Sequence, residues 1–101
     1  MRIRKKGYRD YGFFDDGEWE DVINYCRSPD FKEQSLLMDA AISTNPCIAN
    51  ELYESIINKN ASYDRMMDKQ YIPLPKGDFY GYRRKCIAEF WRMMRLTIGW
   101  Q

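Results

Sequence analysis

Apolar side chains recur along most of this chain with the period of an α-helix. They occupy positions i, i+3, i+4 and i+7 in successive stretches, which places them on one face of a helix. No alternation typical of a β-strand runs for more than a few residues. Two of these helical stripes are Trp19, Val22, Ile23 and Cys26, and Leu37, Ala40, Ala41 and Thr44. The pattern predicts an all-α fold, a compact bundle of four to five helices with an irregular N-terminal arm.

Capping residues and prolines divide the chain into these helices. The predicted helices begin at Asp15 or Asp16, at Asp30, at Pro46, after Ser62 and at Asp78, and the last of them ends near Thr97. At the first two of these starts, an acid followed three residues later by Glu has the spacing of a capping box. Pro73 and Pro75 keep the stretch before the last helix extended.

Length and composition indicate a single domain. The chain has 101 residues, with three Trp, eight Tyr and five Phe. This is enough bulky apolar surface for one hydrophobic core. We therefore expect one helical domain over residues 1–101. Within it, we expect residues 1–14 to form a basic and aromatic arm that packs on the body through its rings.

The absence of histidine excludes several classes of enzyme. Without histidine the chain cannot build a Ser-His-Asp triad, a Cys-His pair or a His-ligated metal site. Cys26, Cys47 and Cys86 lie far apart and form no C-x-x-C motif, which predicts reduced thiols in a cytoplasmic protein. We expect no catalytic residues, no metal and no cofactor, and therefore a protein that is not an enzyme. No apolar run is long enough to cross a membrane, so we expect no membrane partner.

The net charge of +1 conceals three blocks of opposite sign. Residues 1–10 carry five bases and one acid, residues 11–60 carry three bases and ten acids, and residues 61–101 carry eight bases and four acids. The two ends are therefore positive and the middle is negative. Such asymmetry indicates charged binding partners. Mutual neutralisation of the blocks within the folded monomer is the alternative.

The predicted last helix has one apolar face and one basic face. The apolar face includes Phe79, Cys86 and Phe90 and is expected to pack inward. The opposite stripe is expected to be exposed and consists of Gly81, Arg84, Lys85, Ala88, Arg92 and Arg95. Arginine offers forked donors for phosphate, and small residues would let a phosphate backbone or an acidic protein come close. A solvated face without a partner, a nucleic-acid site and an acidic protein partner all fit this stripe.

The stretch from residue 60 to residue 97 combines a short helix, a proline interruption and a long basic helix. Its segments are Ser62-Tyr63-Asp64, Ile72-Pro73 and Asp78-Phe79-Tyr80-Gly81-Tyr82-Arg83-Arg84-Lys85. This order resembles the C-terminal helix-turn-helix of small ArpU-like or sigma-like regulators encoded by phages and mobile elements of Gram-positive bacteria. The resemblance implies that residues 62–97 form a helix-turn-helix-like unit and that the last helix is its recognition helix. It also implies that duplex DNA is contacted by Lys76, Tyr80, Arg83, Arg84 and Lys85.

The first functional hypothesis is a DNA-binding transcriptional regulator of a phage or mobile element. In this hypothesis the last helix engages duplex DNA through the residues above together with Arg92 and Arg95. The N-terminal arm adds Arg2 and Arg4, since a basic arm beside a recognition helix can reach the minor groove. The regulator acts as a monomer or as a homodimer.

The second hypothesis is a phage-encoded inhibitor of a bacterial defence system, similar to an anti-CRISPR protein, that binds an effector protein without catalysis. Arginine and aromatic residues are common at such interfaces. The acidic residues Asp15, Asp16 and Glu20 would imitate nucleic-acid phosphates in a basic channel of the effector. A structural or assembly role is a third alternative.

Overall fold

The computed structural model describes residue 3, residues 7–13 and residues 16–98, and the side chains of all of these except 16, 97 and 98. Within these ranges the regular structure is entirely helical, which confirms the predicted all-α bundle. The helices are α1 (Asp16–Cys26), α2 (Gln34–Thr44), α3 (Ala49–Ile57), α4 (Tyr63–Met67) and α5 (Lys76–Ile98). Short 3-10 turns lie at Tyr8–Tyr11 and Pro46–Ile48.

The longest helix, α5, is the centre of the bundle. Its 23 residues span about 35 Å. Helices α1, α2 and α3 and the first 3-10 turn all pack against it. Phe79, Cys86 and Phe90 on α5 are buried, as the apolar periodicity predicts, and so are Leu37 of α2 and Leu52 of α3. Because α2 also packs against α3, these three helices enclose one hydrophobic core.

The second helix begins later than its capping box predicts. Helix α2 starts four residues after Asp30, and Glu33 precedes it without a side-chain cap. The predicted capping box of Asp30 and Glu33 is therefore wrong. The reason is Phe31, which is buried and makes edge-on ring contacts with Tyr25 and Phe90. Glu33 instead accepts a hydrogen bond from the Tyr25 hydroxyl.

The later helix starts follow the predicted capping residues closely. Asn45 Oδ1 accepts a hydrogen bond from the Cys47 N–H at 3.1 Å and caps the 3-10 turn that leads into α3. Ser62 Oγ accepts from the Arg65 N–H at 3.2 Å at the start of α4. Helix α5 begins two residues earlier than predicted, which places Asp78 in its first turn. An acid is favourable there because it faces the positive end of the helix dipole.

Aromatic rings attach the segment before α1 to the bundle, as the sequence predicts for the arm. Tyr8 stacks on Trp19 of α1 with 4.4 Å between ring centroids. Phe13 stacks on Trp91 of α5 at 4.3 Å and is only 2% exposed. We call residues 7–13 the N-terminal segment. Its rings make it part of the core.

Three polar contacts hold the short helix α4 against α5. The Tyr63 hydroxyl donates to the Leu74 carbonyl in the connection between the two helices. The Tyr63 N–H donates to the Tyr80 hydroxyl at 3.1 Å. Lys76 Nζ forms an ion pair with Asp64 Oδ2 at 2.9 Å. The orientation of α4 therefore depends on the first turns of α5.

We expect the Phe13→Ala substitution to lower the free energy of unfolding by about 3 kcal/mol, because it removes a buried ring and leaves a cavity against Trp91. Urea denaturation followed by circular dichroism measures this change. Tyr71→Ala is the control, since that ring is 79% exposed, and it should change the free energy by less than about 0.5 kcal/mol. Equal effects of the two substitutions would show that the N-terminal segment adds nothing to the core.

The hydrogen bond between Tyr25 and Glu33 predicts a pH-dependent stability. Donation to Glu33 raises the pKa of Tyr25 to about 12, above the value of about 10 expected in the unfolded chain. The contribution to stability is therefore complete below about pH 10 and is lost as the pH rises from there through the folded-state pKa.

We expect Tyr25→Phe to lower the unfolding free energy by about 1 kcal/mol at pH 7, because one hydrogen bond is lost. At about pH 11 the difference between the two proteins should be smaller, since the unfolded wild-type chain is then stabilised by ionisation of the phenol. Urea denaturation at both pH values measures the difference in unfolding free energy between the wild type and Tyr25→Phe. If this difference is the same at pH 7 and pH 11, the hydrogen bond between Tyr25 and Glu33 does not stabilise the fold.

Candidate functional site: a basic groove beside the last helix

The exposed side of α5 differs in part from the predicted stripe. Lys85, Arg92 and Arg95 are exposed, as expected. Gly81 and Ala88 are buried, the latter with only 7% of its surface exposed. The prediction that these two small residues lie on the surface is therefore wrong. The exposed cations do not form a continuous stripe with them.

The N-terminal segment occupies the place beside Ala88. Tyr11 and Gly12 line a common groove with Ala88 and Trp91. Gly12 has a φ of 98°, a left-handed conformation that favours glycine. A Cβ at this position would lie 3.6 Å from the Trp91 ring. Ala88 therefore lies across a groove from the chain's own N-terminal segment.

A surface groove of about 340 Å³ lies between the N-terminal segment and α5. We call it the basic groove. Small residues, two aromatic rings, one acid and three cations line it, namely Tyr11, Gly12, Lys85, Ala88, Glu89, Trp91, Arg92 and Arg95. Three of the four cations of the predicted stripe thus meet at one site.

The cations of the basic groove have different surroundings. Arg92 Nη2 donates to the Glu89 carboxylate, one helical turn away, and this contact raises the pKa of Arg92. The Arg95 guanidinium lies 4.6 Å from the centroid of the Trp91 ring, a cation–π distance. Lys85 has no acidic partner within the described parts of the chain. A ligand phosphate would therefore meet one free ammonium, one stacked guanidinium and one guanidinium shared with a carboxylate.

The predicted contact residues at the start of α5 lie outside this groove. Lys76 and Tyr80 contact α4, through the ion pair and the hydrogen bond described above. Arg83 donates to Ser55 of α3 from both Nε and Nη2. Arg84 is half-buried. The structure therefore divides the residues predicted to bind DNA into one group that joins helices and another that faces solvent.

Most residues of the predicted arm site and acidic face lie outside the described residues, namely Arg2, Arg4, Asp15 and the side chain of Asp16. Glu20 is exposed on α1. It lines a small cleft together with two arginines. The surroundings of Glu20 are therefore of mixed charge.

The connection between α4 and α5 is longer than in a typical helix-turn-helix. Helix α4 has five residues, and eight residues, 68–75, separate it from α5. The turn of a helix-turn-helix usually has about three or four residues. The pair of helices thus differs in its connection from the unit that the resemblance implies.

Two surface features were not predicted from the sequence. Arg27 and Arg83 meet at the carboxyl end of α3, although they are 56 positions apart in the chain. A polar groove of about 650 Å³ lies between α3 and α4. In this groove Gln70 Nε2 donates to Glu51 Oε2 at 2.7 Å. Both features bring together residues that are distant in the chain, for which local sequence patterns contain no signal.

The three cysteines are free thiols, of which Cys26 and Cys86 are buried and Cys47 is exposed. Burial raises the pKa of both Cys26 and Cys86 to about 12, so these thiols are neutral and unreactive near pH 7.

No group of three or more metal-ligating side chains occurs among the described residues. In the same part of the chain, no helix is both long enough and apolar enough to cross a membrane.

Comparison of the chain with protein-family models, with curated proteins and with solved structures finds no match in any of the three. The interpretation of the basic groove is therefore based on its own residues and geometry.

Proposed function

We propose that this protein binds duplex DNA through the basic groove and acts as a transcriptional regulator of a phage or mobile element. The observation that supports DNA binding is the convergence of Lys85, Arg92 and Arg95 on one groove beside α5. Lysine and arginine are the main side chains that contact DNA phosphates, and such contacts provide much of the affinity for DNA. The regulatory role comes from the resemblance of residues 60–97 to the C-terminal unit of ArpU-like and sigma-like regulators.

The spacing of the three cations suits the sugar-phosphate backbone. Along the axis of α5, Arg92 lies about 10 Å and Arg95 about 15 Å beyond Lys85. The phosphates of one DNA strand follow each other every 3.4 Å or so along the duplex axis. Cations spread over this length of helix can therefore reach several phosphates of one strand. Contacts of this kind position a protein on DNA without selecting a sequence.

Contact along the side of α5 fits the fold better than insertion of α5 into the major groove. Helices α1, α2 and α3 and the N-terminal segment cover much of α5. Lys76, Tyr80 and Arg83, which the resemblance assigns to DNA contact, bind α3 and α4 instead. A recognition helix has to present a free face to a groove that is about 12 Å wide. Backbone contact requires only the exposed cations.

Removal of the three cations tests this proposal. We expect the combined Lys85→Ala, Arg92→Ala and Arg95→Ala substitutions to abolish binding to a duplex of about 20 base pairs at roughly 50 mM salt, where non-specific electrostatic affinity is strong. Fluorescence anisotropy of a labelled duplex measures the affinity. For the wild type, three phosphate contacts predict that log affinity falls with log salt concentration at a slope of about −2.7.

A matched control removes the same charge elsewhere. Lys32, Lys59 and Lys69 are exposed and do not line the basic groove. Their combined replacement by Ala should leave most of the affinity intact. An equal loss in both triple variants would assign DNA binding to net charge alone. Absence of binding by the wild type at this salt concentration would eliminate the proposal.

Glu89 is expected to oppose DNA binding. Its carboxylate holds Arg92 and adds a negative charge to the groove, so that a phosphate has to displace it. We expect Glu89→Gln to tighten the binding of duplex DNA by about three- to tenfold at low salt. Asp64→Asn is the control, because it releases Lys76 from a comparable exposed ion pair outside the groove. Unchanged affinity in Glu89→Gln, or an equal gain in both variants, argues against the groove as the binding site.

The exposed Leu96 favours a protein partner as the second candidate. This side chain is 74% exposed and follows Arg95 directly. Arginine beside exposed apolar side chains is typical of protein interfaces and is not required for phosphate binding. In that case the chain is an inhibitor of a bacterial defence effector, of the anti-CRISPR type. Co-elution with a purified CRISPR effector that Leu96→Asp abolishes, without any DNA binding, would favour this candidate over the first.

A further inference from the structure

Two arginines from distant parts of the chain converge at the carboxyl end of α3. Arg27, directly after α1, donates from Nε to the Ile56 carbonyl at 2.9 Å and from Nη2 to the Ser55 carbonyl at 3.4 Å. Arg83 of α5 donates from Nη2 to the same Ser55 carbonyl at 3.2 Å and from Nε to Ser55 Oγ at 3.3 Å. The two guanidinium groups are therefore neighbours that share one carbonyl oxygen.

Neither of these guanidinium groups forms an ion pair with an acid among the described residues. The carboxyl end of a helix carries only about half a negative charge, which does not balance two cations. Burial, and then the charge of Arg83, lower the pKa of Arg27, which is the direction expected where like charges are held together. An anion beside both groups would offset this repulsion.

A cleft of about 260 Å³ is lined in part by Arg27 and Arg83. We call it the arginine cleft, and it is lined by Trp19, Glu20, Ile23, Asn24, Arg27 and Arg83. A guanidinium has five N–H donors, and each arginine uses only its Nε and one Nη2 donor on α3. Three N–H donors of each guanidinium therefore make no hydrogen bond within the described residues. The cleft is open to solvent and has room for a tetrahedral anion.

We propose that the arginine cleft binds a phosphate group through Arg27 and Arg83 together. Adjacent guanidinium groups supply the forked, charge-assisted donors that suit a phosphate dianion. The ligand is inorganic phosphate or a phosphate monoester such as a nucleoside monophosphate. No residue lines both this cleft and the basic groove. Phosphate binding here is therefore separate from DNA binding.

Glu20 is the residue that opposes this ligand. It is exposed and lines the cleft, and in the described structure it forms no ion pair with either arginine. Its carboxylate repels a dianion in the cleft. Neutralising Glu20 should therefore tighten phosphate binding, whereas it would have no such effect if the arginines served only to cap α3.

Titration with inorganic phosphate, followed by nuclear magnetic resonance at constant ionic strength, tests the proposal. We expect saturable shifts of the Trp19 indole and of the Arg27 and Arg83 Nε–H signals, with a Kd of about 1 mM at pH 7.5. Adenosine monophosphate is the second probe. Tighter binding of the nucleotide supports a monoester as the ligand, and equal or weaker binding supports free phosphate.

Variants locate the binding in the arginine cleft. Arg27→Lys and Arg83→Lys keep the charge but lose the forked donors, and each should weaken phosphate binding about fivefold. Glu20→Gln should tighten it about threefold, because one repulsive charge is removed. Arg92→Ala in the basic groove is the control and should leave phosphate affinity unchanged. The same control variant is expected to weaken DNA binding, so failure of one proposal is distinguishable from failure of the other.

Three results would overturn the arginine cleft as a phosphate site. They are shifts that do not saturate, shifts reproduced by chloride at the same ionic strength, and an unchanged phosphate affinity in Glu20→Gln. The phosphate affinity of Glu20→Gln remains a valid test even if the lysine variants fold poorly, because Glu20 is exposed and lies within α1.

Discussion

The burial of α5 on most of its sides is the constraint on which the rest of the structure depends. Three helices and the N-terminal segment pack against it, and its rings, such as Phe79 and Phe90, lie within the core. Only a limited part of the α5 surface is exposed to solvent. That part includes Lys85 and Arg92, and it also includes the half-exposed Glu89. Helix α5 therefore presents a local site of mixed charge and not a long positive face.

Opposite charges pair within one charge block of the sequence. Lys76 pairs with Asp64 and Arg92 pairs with Glu89, and all four residues belong to the basic C-terminal block. The two arginines at the end of α3 are bound by carbonyl groups and a hydroxyl rather than by acids. Lys85, Arg27 and Arg83 therefore form no ion pair with an acid among the described residues. The two proposed sites use these three cations.

Local patterns predicted the helices well, because periodicity and capping act over a few residues, as at Asn45. They failed at the start of α2, where Phe31 is buried against rings of other helices. Local patterns also gave a wrong prediction for Ala88, which is buried. Apolar periodicity identifies the inner face of a helix, but it does not show how far other segments cover the outer face. The cations of the basic groove share one helix and follow from its spacing. Arg27 and Arg83 meet because α1 and α5 both pass the end of α3. The spacing of residues along the chain does not predict this contact.

The central position of α5 has a consequence for biosynthesis, since α5 follows α1, α2 and α3 along the chain. Helices α1, α2 and α3 leave the ribosome before the helix that they all pack against. The stacking of Phe13 on Trp91 likewise joins distant parts of the chain, and such long-range contacts slow folding. Native packing is therefore completed only after α5 has been made. A nascent chain stalled before that point would expose the apolar faces of three helices to chaperones or to aggregation.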